Sequence, residues 1–122
     1  MAQEGVASHI EDRLHRWRDE HRAELRAEME RLTREAAALG VERVVLFGSA
    51  ARGEAGLASD LDLLMVWDTD LNFVERTAAM YAHLKPTVAC DLLVYTPAEM
   101  ERMAARPFVR RALEEGKELH AR

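Results

Sequence analysis

Apolar side chains recur every three or four residues through the first third of the chain, which is the spacing of one face of an α-helix. Ser8 followed by Glu11 matches a capping box, and Gly40 is a suitable stop. The pattern predicts a helix over about residues 8–39, on the order of 45 Å long. Its apolar stripe consists of Ile10, Leu14, Trp17, His21, Leu25, Met29, Leu32, Ala36 and Leu39.

A helix of this length exceeds what a small domain needs, so two interpretations of its N-terminal half stay open. The whole helix could pack on the core with a solvated Arg/Glu face, or its first half could project and dock on a partner, since long helices often pair. A break near His21 is a further alternative. Trp17 would anchor either the core, which is favoured, or an interface.

Short runs rich in β-branched and aliphatic residues follow, and they predict strands. The runs are residues 41–48, 59–67 and 87–95, with a small edge strand at 117–120. Helical segments are predicted at 49–53, 71–84, after the Thr96–Glu99 capping box with Pro97, and from about 107 to Gly116. This order predicts a mixed α/β fold in one domain, 1–122, with the core over about 41–116.

Composition is that of an ordinary globular domain, since 122 residues suffice for one hydrophobic core. Cys90 is the only cysteine, so no disulfide forms within the chain. No apolar run reaches the length of a membrane span, and the first residues lack the apolar region of a secretory signal. Together these features predict a cytoplasmic protein that does not enter a membrane.

The net charge of −5 is concentrated in the middle of the chain. Residues 41–95 carry four Lys or Arg against eight Asp or Glu. This balance argues against a basic nucleic-acid groove, so nucleic acid is not expected as a direct substrate. The acidic excess instead suits a site for divalent cations.

Asp60 and Asp62 stand at the start of the apolar run 59–67. Alternate residues of a strand point to the same side, so both carboxylates would share one face, with Cα atoms roughly 6.5–7 Å apart. Leu61 and Leu63 would point into the core. Like charges this close are tolerated when cations neutralise them or when one takes up a proton. Two Mg²⁺ ions bridged by carboxylates suit phosphoryl and nucleotidyl transfer.

A third carboxylate, Asp91, lies in another apolar strand whose packing needs no charge. If the two strands are neighbours, Asp91 can face Asp60 and Asp62. It could then hold the metal that activates the attacking oxygen, or accept its proton. Cys90 would point the opposite way, toward the core.

Gly48 and Ser49 end one strand and precede a helical turn, which predicts a small phosphate cradle. The glycine lets backbone N–H groups approach an anion, and the serine hydroxyl can donate to a phosphate oxygen. Arg52 lies one turn further and could reach the same phosphates, although an arginine beside a glycine is often only a surface residue. Each feature alone has a structural explanation, whereas their combination gives one reaction geometry.

Gly48-Ser49, ten residues, and then Asp60-Leu61-Asp62 resemble the GS-x10-DxD signature of the DNA polymerase β nucleotidyltransferase superfamily. With VACDLLVYTPAEM downstream, the chain resembles the minimal nucleotidyltransferases (MNT) of bacteria and archaea over about residues 41–116. The resemblance implies a nucleotidyltransferase fold, with a small mixed sheet of three to four strands flanked by helices. It also implies a two-metal site on Asp60, Asp62 and Asp91, and it implies that Gly48 and Ser49 bind the triphosphate.

The activity that the resemblance implies is transfer of a nucleoside monophosphate, by default AMP from ATP, with two Mg²⁺ ions or Mn²⁺ in their place. The chain has no room for an acceptor domain, so the acceptor is expected on a partner protein. Minimal nucleotidyltransferases resemble antitoxins that act with a small helical HEPN ribonuclease toxin, and some adenylylate a tyrosine on it. The alternative is a module that binds nucleotide or partner without catalysis. A homo-oligomer is left open.

Overall fold

The computed structural model describes the backbone of residues 2–53 and 61–122, with side chains from residue 9 onward. Its centre is a four-stranded mixed sheet in the order β3-β2-β1-β4. The strands are β1 (Val41–Phe47), β2 (Leu61–Trp67), β3 (Cys90–Tyr95) and β4 (Lys117–Ala121). Strand β1 is antiparallel to both β2 and β4, and β2 is parallel to β3. The predicted mixed α/β fold is confirmed.

The helices in the described parts of the chain flank this sheet. They are α1 (Ala2–Leu39), α2 (Gly48–Ala51), α3 (Phe73–Leu84), α4 (Pro97–Met103) and α5 (Pro107–Glu115). The Thr96 capping box opens α4 as predicted, with Pro97 in the first turn. Strand β4 pairs with β1 up to Ala121, so the sheet extends past the predicted end of the core at residue 116.

Helix α1 is continuous through His21, which excludes the alternative of a break there. The predicted start at Ser8 is wrong, because the helix already begins at Ala2. Ala, Gln and Glu before Ser8 are good helix formers, and a capping-box pattern does not stop a helix that they can extend. Although α1 is long, no helix among the described residues is both long and apolar enough to cross a membrane.

Each face of the sheet packs against its own hydrophobic cluster. Leu61, Leu63 and Met65 of β2 contribute to the cluster that includes residues of α1 and α3. Leu64 and Val66 point the other way, into the cluster that includes residues of α4 and α5. Burial on both faces explains why β2 is an almost continuous apolar run rather than an alternating one.

Helix α3 differs from its predicted apolar face. The sequence pattern predicts one apolar face made of Leu71, Val74, Ala78, Tyr81 and Leu84. Of these residues, Val74 is 75% exposed and Leu71 precedes the helix. The buried residues are Arg76, Met80 and Leu84. The prediction failed because Arg76 is charged, yet it is buried through a paired hydrogen bond to Glu99 of α4, at 2.5 and 3.0 Å. A buried guanidinium is tolerated only with such a partner.

A buried carboxylate of α1 holds the segment that leads into β3. Glu28 is 6% exposed and accepts hydrogen bonds from the backbone N–H and the hydroxyl of Thr87. Arg31 donates to the same carboxylate through Nε and Nη2. These hydrogen bonds, from Arg31 first and then Thr87, lower the pKa of Glu28 from 4.5 to about 2, against the opposing effect of burial. Helix α1 thereby fixes the approach to the strand that carries Asp91.

Candidate functional site

Asp62 and Asp91 are direct neighbours across the parallel pair β2–β3. Paired residues of adjacent strands project from the same face, about 4.8 Å apart at the backbone. Asp62 is half-buried and Asp91 is exposed, and both line the same cavity. The predicted convergence of these two carboxylates is therefore present.

Asp60 lies outside the described residues, so its predicted place beside Asp62 stays a prediction. Within residues 2–53 and 61–122, no group of three His, Cys, Asp or Glu side chains is arranged to hold a metal ion. Of the three predicted metal ligands, the structure describes Asp62 and Asp91.

Gly48 lies against Asp62 because Phe47, the last residue of β1, is paired with Asp62 in the sheet. Its φ is +72°, in the left-handed region that favours glycine. A Cβ built on Gly48 would overlap the Asp62 carboxylate. Glycine is thus required at this position for two reasons: the backbone has a left-handed φ, and the Asp62 side chain leaves no room for a Cβ.

A cavity of about 730 Å³ opens beside the two carboxylates, a size typical of small-molecule sites. The residues lining it are Phe47, Gly48, Ser49, Arg52, Asp62, Asp91, Leu92, Leu93, Phe108, Arg111, Ala112 and Glu115. Phe47 and Phe108 meet edge to face with ring centroids 5.9 Å apart, and Phe108 is 62% exposed. All the predicted site residues that the structure describes line this one cavity.

Glu115 engages the two arginines of the cavity. Its Oε1 accepts a hydrogen bond from Arg111 Nε at 3.1 Å, and its Oε2 lies 3.6 Å from Arg52 Nη1. Sequence reasoning found Arg52 but missed Arg111 and Glu115. Their spacing of four residues on one helix signals an ion pair, but nothing in the sequence places that pair opposite the aspartates.

The backbone on both sides of Asp91 is held by Tyr81 of α3. Its hydroxyl donates to the carbonyl of Cys90 at 2.6 Å and accepts from the N–H of Leu92 at 3.0 Å. The half-buried Cys90 packs against the α1–α3 side of the core, as predicted from its position next to Asp91. Tyr81 therefore fixes the strand segment that presents the carboxylate.

Comparison with known proteins agrees with this geometry. The family described as "Nucleotidyltransferase domain" matches residues 22–120. The chain belongs to this nucleotidyltransferase family. A Methanocaldococcus jannaschii protein named "putative protein adenylyltransferase" is 32% identical over 80 residues, covering 66% of this chain and 79% of the relative.

A solved structure from Sulfolobus solfataricus, described as a "putative nucleotidyltransferase", superimposes with a TM-score of 0.52 at 27% identity. The match covers 68% of this nucleotidyltransferase and 77% of the other chain. The resemblance to the superfamily that the Gly-Ser and Asp-x-Asp motifs indicated is thus supported by sequence and by fold.

The cavity of this nucleotidyltransferase suits a polyphosphate with divalent cations. Asp62 and Asp91 supply carboxylate oxygens, the ligands that Mg²⁺ prefers. Gly48 presents backbone without a side chain, and Arg52 and Arg111 carry the guanidinium groups that bind phosphate. Carboxylates and guanidinium groups around one open cavity fit a metal–nucleotide complex on chemical grounds.

Proposed function

We propose that this nucleotidyltransferase transfers AMP from ATP to a hydroxyl group of a partner protein. The observation that carries the proposal is the pairing of Asp62 with Asp91, beside Gly48 and Ser49, in one open cavity. The name of the Methanocaldococcus jannaschii relative supports a protein as the acceptor.

The residues have distinct roles in this reaction. Asp62 and Asp91, with Asp60, would hold two Mg²⁺ ions, for which Mn²⁺ could substitute. When bound, these ions neutralise charge that develops on the phosphates. Ser49 and the backbone at Gly48 position the β- and γ-phosphates.

The transfer is an in-line displacement at the α-phosphorus of ATP. A hydroxyl oxygen of the acceptor forms the new P–O bond, and the bond from the α-phosphorus to the oxygen bridging to the β-phosphate breaks. Pyrophosphate leaves, and the hydroxyl proton passes to Asp91 or to solvent. Positioning and electrostatic stabilisation supply the rate enhancement, since the protein forms no covalent intermediate.

The acceptor is a small helical partner of the HEPN type, a ribonuclease toxin that this chain neutralises as an antitoxin. The cavity is lined by the exposed Phe108, which gives an incoming protein an apolar contact next to the reacting groups.

The test uses ATP labelled at the α-phosphate, with Mg²⁺ and the protein that co-purifies with the chain. Asp62→Asn and Asp91→Asn should each lower label transfer to the partner by at least a hundredfold. Asp70→Asn is the matched control, because Asp70 is exposed and lies outside the cavity. Transfer that survives both cavity substitutions would overturn the catalytic proposal.

Binding gives a second readout that does not depend on turnover. Mg²⁺ together with a non-hydrolysable ATP analogue should raise the melting temperature of the native chain and of Asp70→Asn. The shift should be much smaller in the Asp62→Asn/Asp91→Asn double variant. Partner binding by all forms without label on any of them would favour the non-catalytic module instead.

A further inference from the structure

The first half of α1 carries an apolar stripe that the domain does not use. Ile10, Leu14 and Trp17 are 53%, 50% and 44% exposed, and α1 becomes buried only from Leu25 onward. Trp17 stacks on His21 with ring centroids 5.1 Å apart. The stripe also precedes residue 22, where the family match begins, so it belongs neither to the core nor to the candidate site.

The spacing of this stripe is that of a coiled-coil seam. Steps of four, three and four alternate as the a and d positions of a heptad do, so Ile10 lies seven residues from Trp17 and Leu14 lies seven residues from His21. In a heptad lettered a to g, the seam residues occupy positions d and a: Ile10, Leu14, Trp17 and His21. The positions beside the seam are Glu11 and Arg18 at e, and Arg13 and Glu20 at g, all with exposed side chains.

The flanking charges are complementary to themselves in an antiparallel pair. When Leu14 packs beside Trp17 of a second copy, each g position faces a g position and each e position faces an e position. Arg13 then lies next to Glu20 of the second copy, and Glu11 lies next to Arg18 of the second copy. Two-fold symmetry repeats each contact, which gives four pairs of opposite charge.

A parallel pair would instead bring like charges together. There each g position faces the e position five residues later on the other helix. Arg13 would face Arg18 of the second copy, twice by symmetry, and like charges at these positions disfavour that alignment. The charge pattern therefore favours an antiparallel over a parallel pairing of two copies.

We propose that two copies of this chain associate through residues 10–21 of α1 as an antiparallel helix pair. The described side chains overlap over about four turns, or about 20 Å. Because each α1 enters its own core only from Leu25, the two domains lie at opposite ends of the pair. The association is independent of the chemistry at the candidate site.

Sedimentation equilibrium on the full chain tests the pairing with a charge-swap series. Native protein should dimerise reversibly, Arg13→Glu should weaken the dimer about tenfold, and Arg13→Glu/Glu20→Arg should restore it. The double variant carries the same charges as the native protein with positions 13 and 20 exchanged. Its rescue would therefore show that the pairing of these two positions matters, not the net charge. Monomer at all concentrations, an unchanged dimer in Arg13→Glu, or no rescue would overturn the proposal.

A distance measurement tests the direction. Spin labels on Ala27→Cys, an exposed position of α1, in a Cys90→Ser background should lie about 35 Å apart along the axis of an antiparallel pair. A parallel pair would place the labels side by side, at well under 20 Å by the spacing of packed helices. The short distance, or a tighter dimer in Arg13→Glu, would contradict the antiparallel arrangement.

Discussion

At the scale of single residues, Gly48 leaves no room for a side chain beside the Asp62 carboxylate. Gly48→Ala would force a left-handed φ on alanine and displace the Asp62 carboxylate. We expect a loss of about 1–2 kcal/mol in stability and at least a hundredfold loss of nucleotidyl transfer. Gly53→Ala is the matched control, since Gly53 has φ +73° but no described atom within 4 Å of its added Cβ. Equal activity losses in both variants would refute the role of the Asp62 contact.

Tyr81 is a positioning residue, because its hydroxyl bridges the backbone groups on both sides of Asp91. In Tyr81→Phe those groups lose their partner, and Asp91 is held less firmly. We expect about a tenfold fall in kcat with little change in the KM for ATP. Tyr95 lies on the same strand as Asp91 but away from it, so Tyr95→Phe should leave kcat and the KM for ATP near native values. A change confined to melting temperature would show that Tyr81 is only structural.

The charge balance in the cavity is set by Glu115, which engages Arg52 and Arg111. Glu115→Gln removes a negative charge beside the expected phosphates and should tighten ATP binding several-fold, most strongly at low salt. Glu114→Gln is the control, because Glu114 pairs with Arg110 and both lie outside the cavity. Isothermal titration at two salt concentrations measures the difference. Weaker binding in Glu115→Gln would mean that its contacts hold the arginines in their binding positions.

At the scale of elements, Glu28 joins α1 to the segment before β3, and its contribution depends on pH. The folded pKa of about 2 lies below the ordinary 4.5, so the carboxylate stabilises the fold above pH 4.5 and loses this effect as pH falls toward 2. Glu28→Gln should cost about 3 kcal/mol near pH 7, and the difference from native protein should close between pH 4.5 and 2.

The control for Glu28 is Glu35→Gln on the same helix. Glu35 also pairs with Arg31, at 2.6 Å, but it is 44% exposed. Solvent screens such a pair, so its loss should cost under about 1 kcal/mol. Urea unfolding across this pH range compares the two variants, and a constant Glu28→Gln deficit at every pH would contradict the assigned pKa.

Elements with a strong local pattern could be predicted from the sequence, whereas contacts between them could not. The strands follow from short runs of β-branched and aliphatic residues, and the Thr96 cap follows from its capping box. The pairing of Asp62 with Asp91 required their strands to be neighbours, which the sequence alone does not decide. The buried Arg76 could not be predicted, because its partner Glu99 is 23 residues away on another helix. Arg111 was missed because its place opposite the aspartates depends on how α5 packs on the sheet, although its partner Glu115 is only four residues away. Charged residues look alike in sequence whether water or a distant partner surrounds them.

At the scale of the whole molecule, the two halves of α1 lie in different environments, although one apolar stripe runs through both. Leu32 is fully buried and Leu14 is 50% exposed, although both lie on that stripe. At protein concentrations low enough to keep copies apart, Leu32→Ala should cost 2–5 kcal/mol and Leu14→Ala under about 1 kcal/mol. Denaturant unfolding measures both. Where the copies associate, Leu14→Ala should weaken the dimer while Leu32→Ala lowers only stability. Equal stability costs in dilute protein would mean that residues 10–21 pack within their own domain.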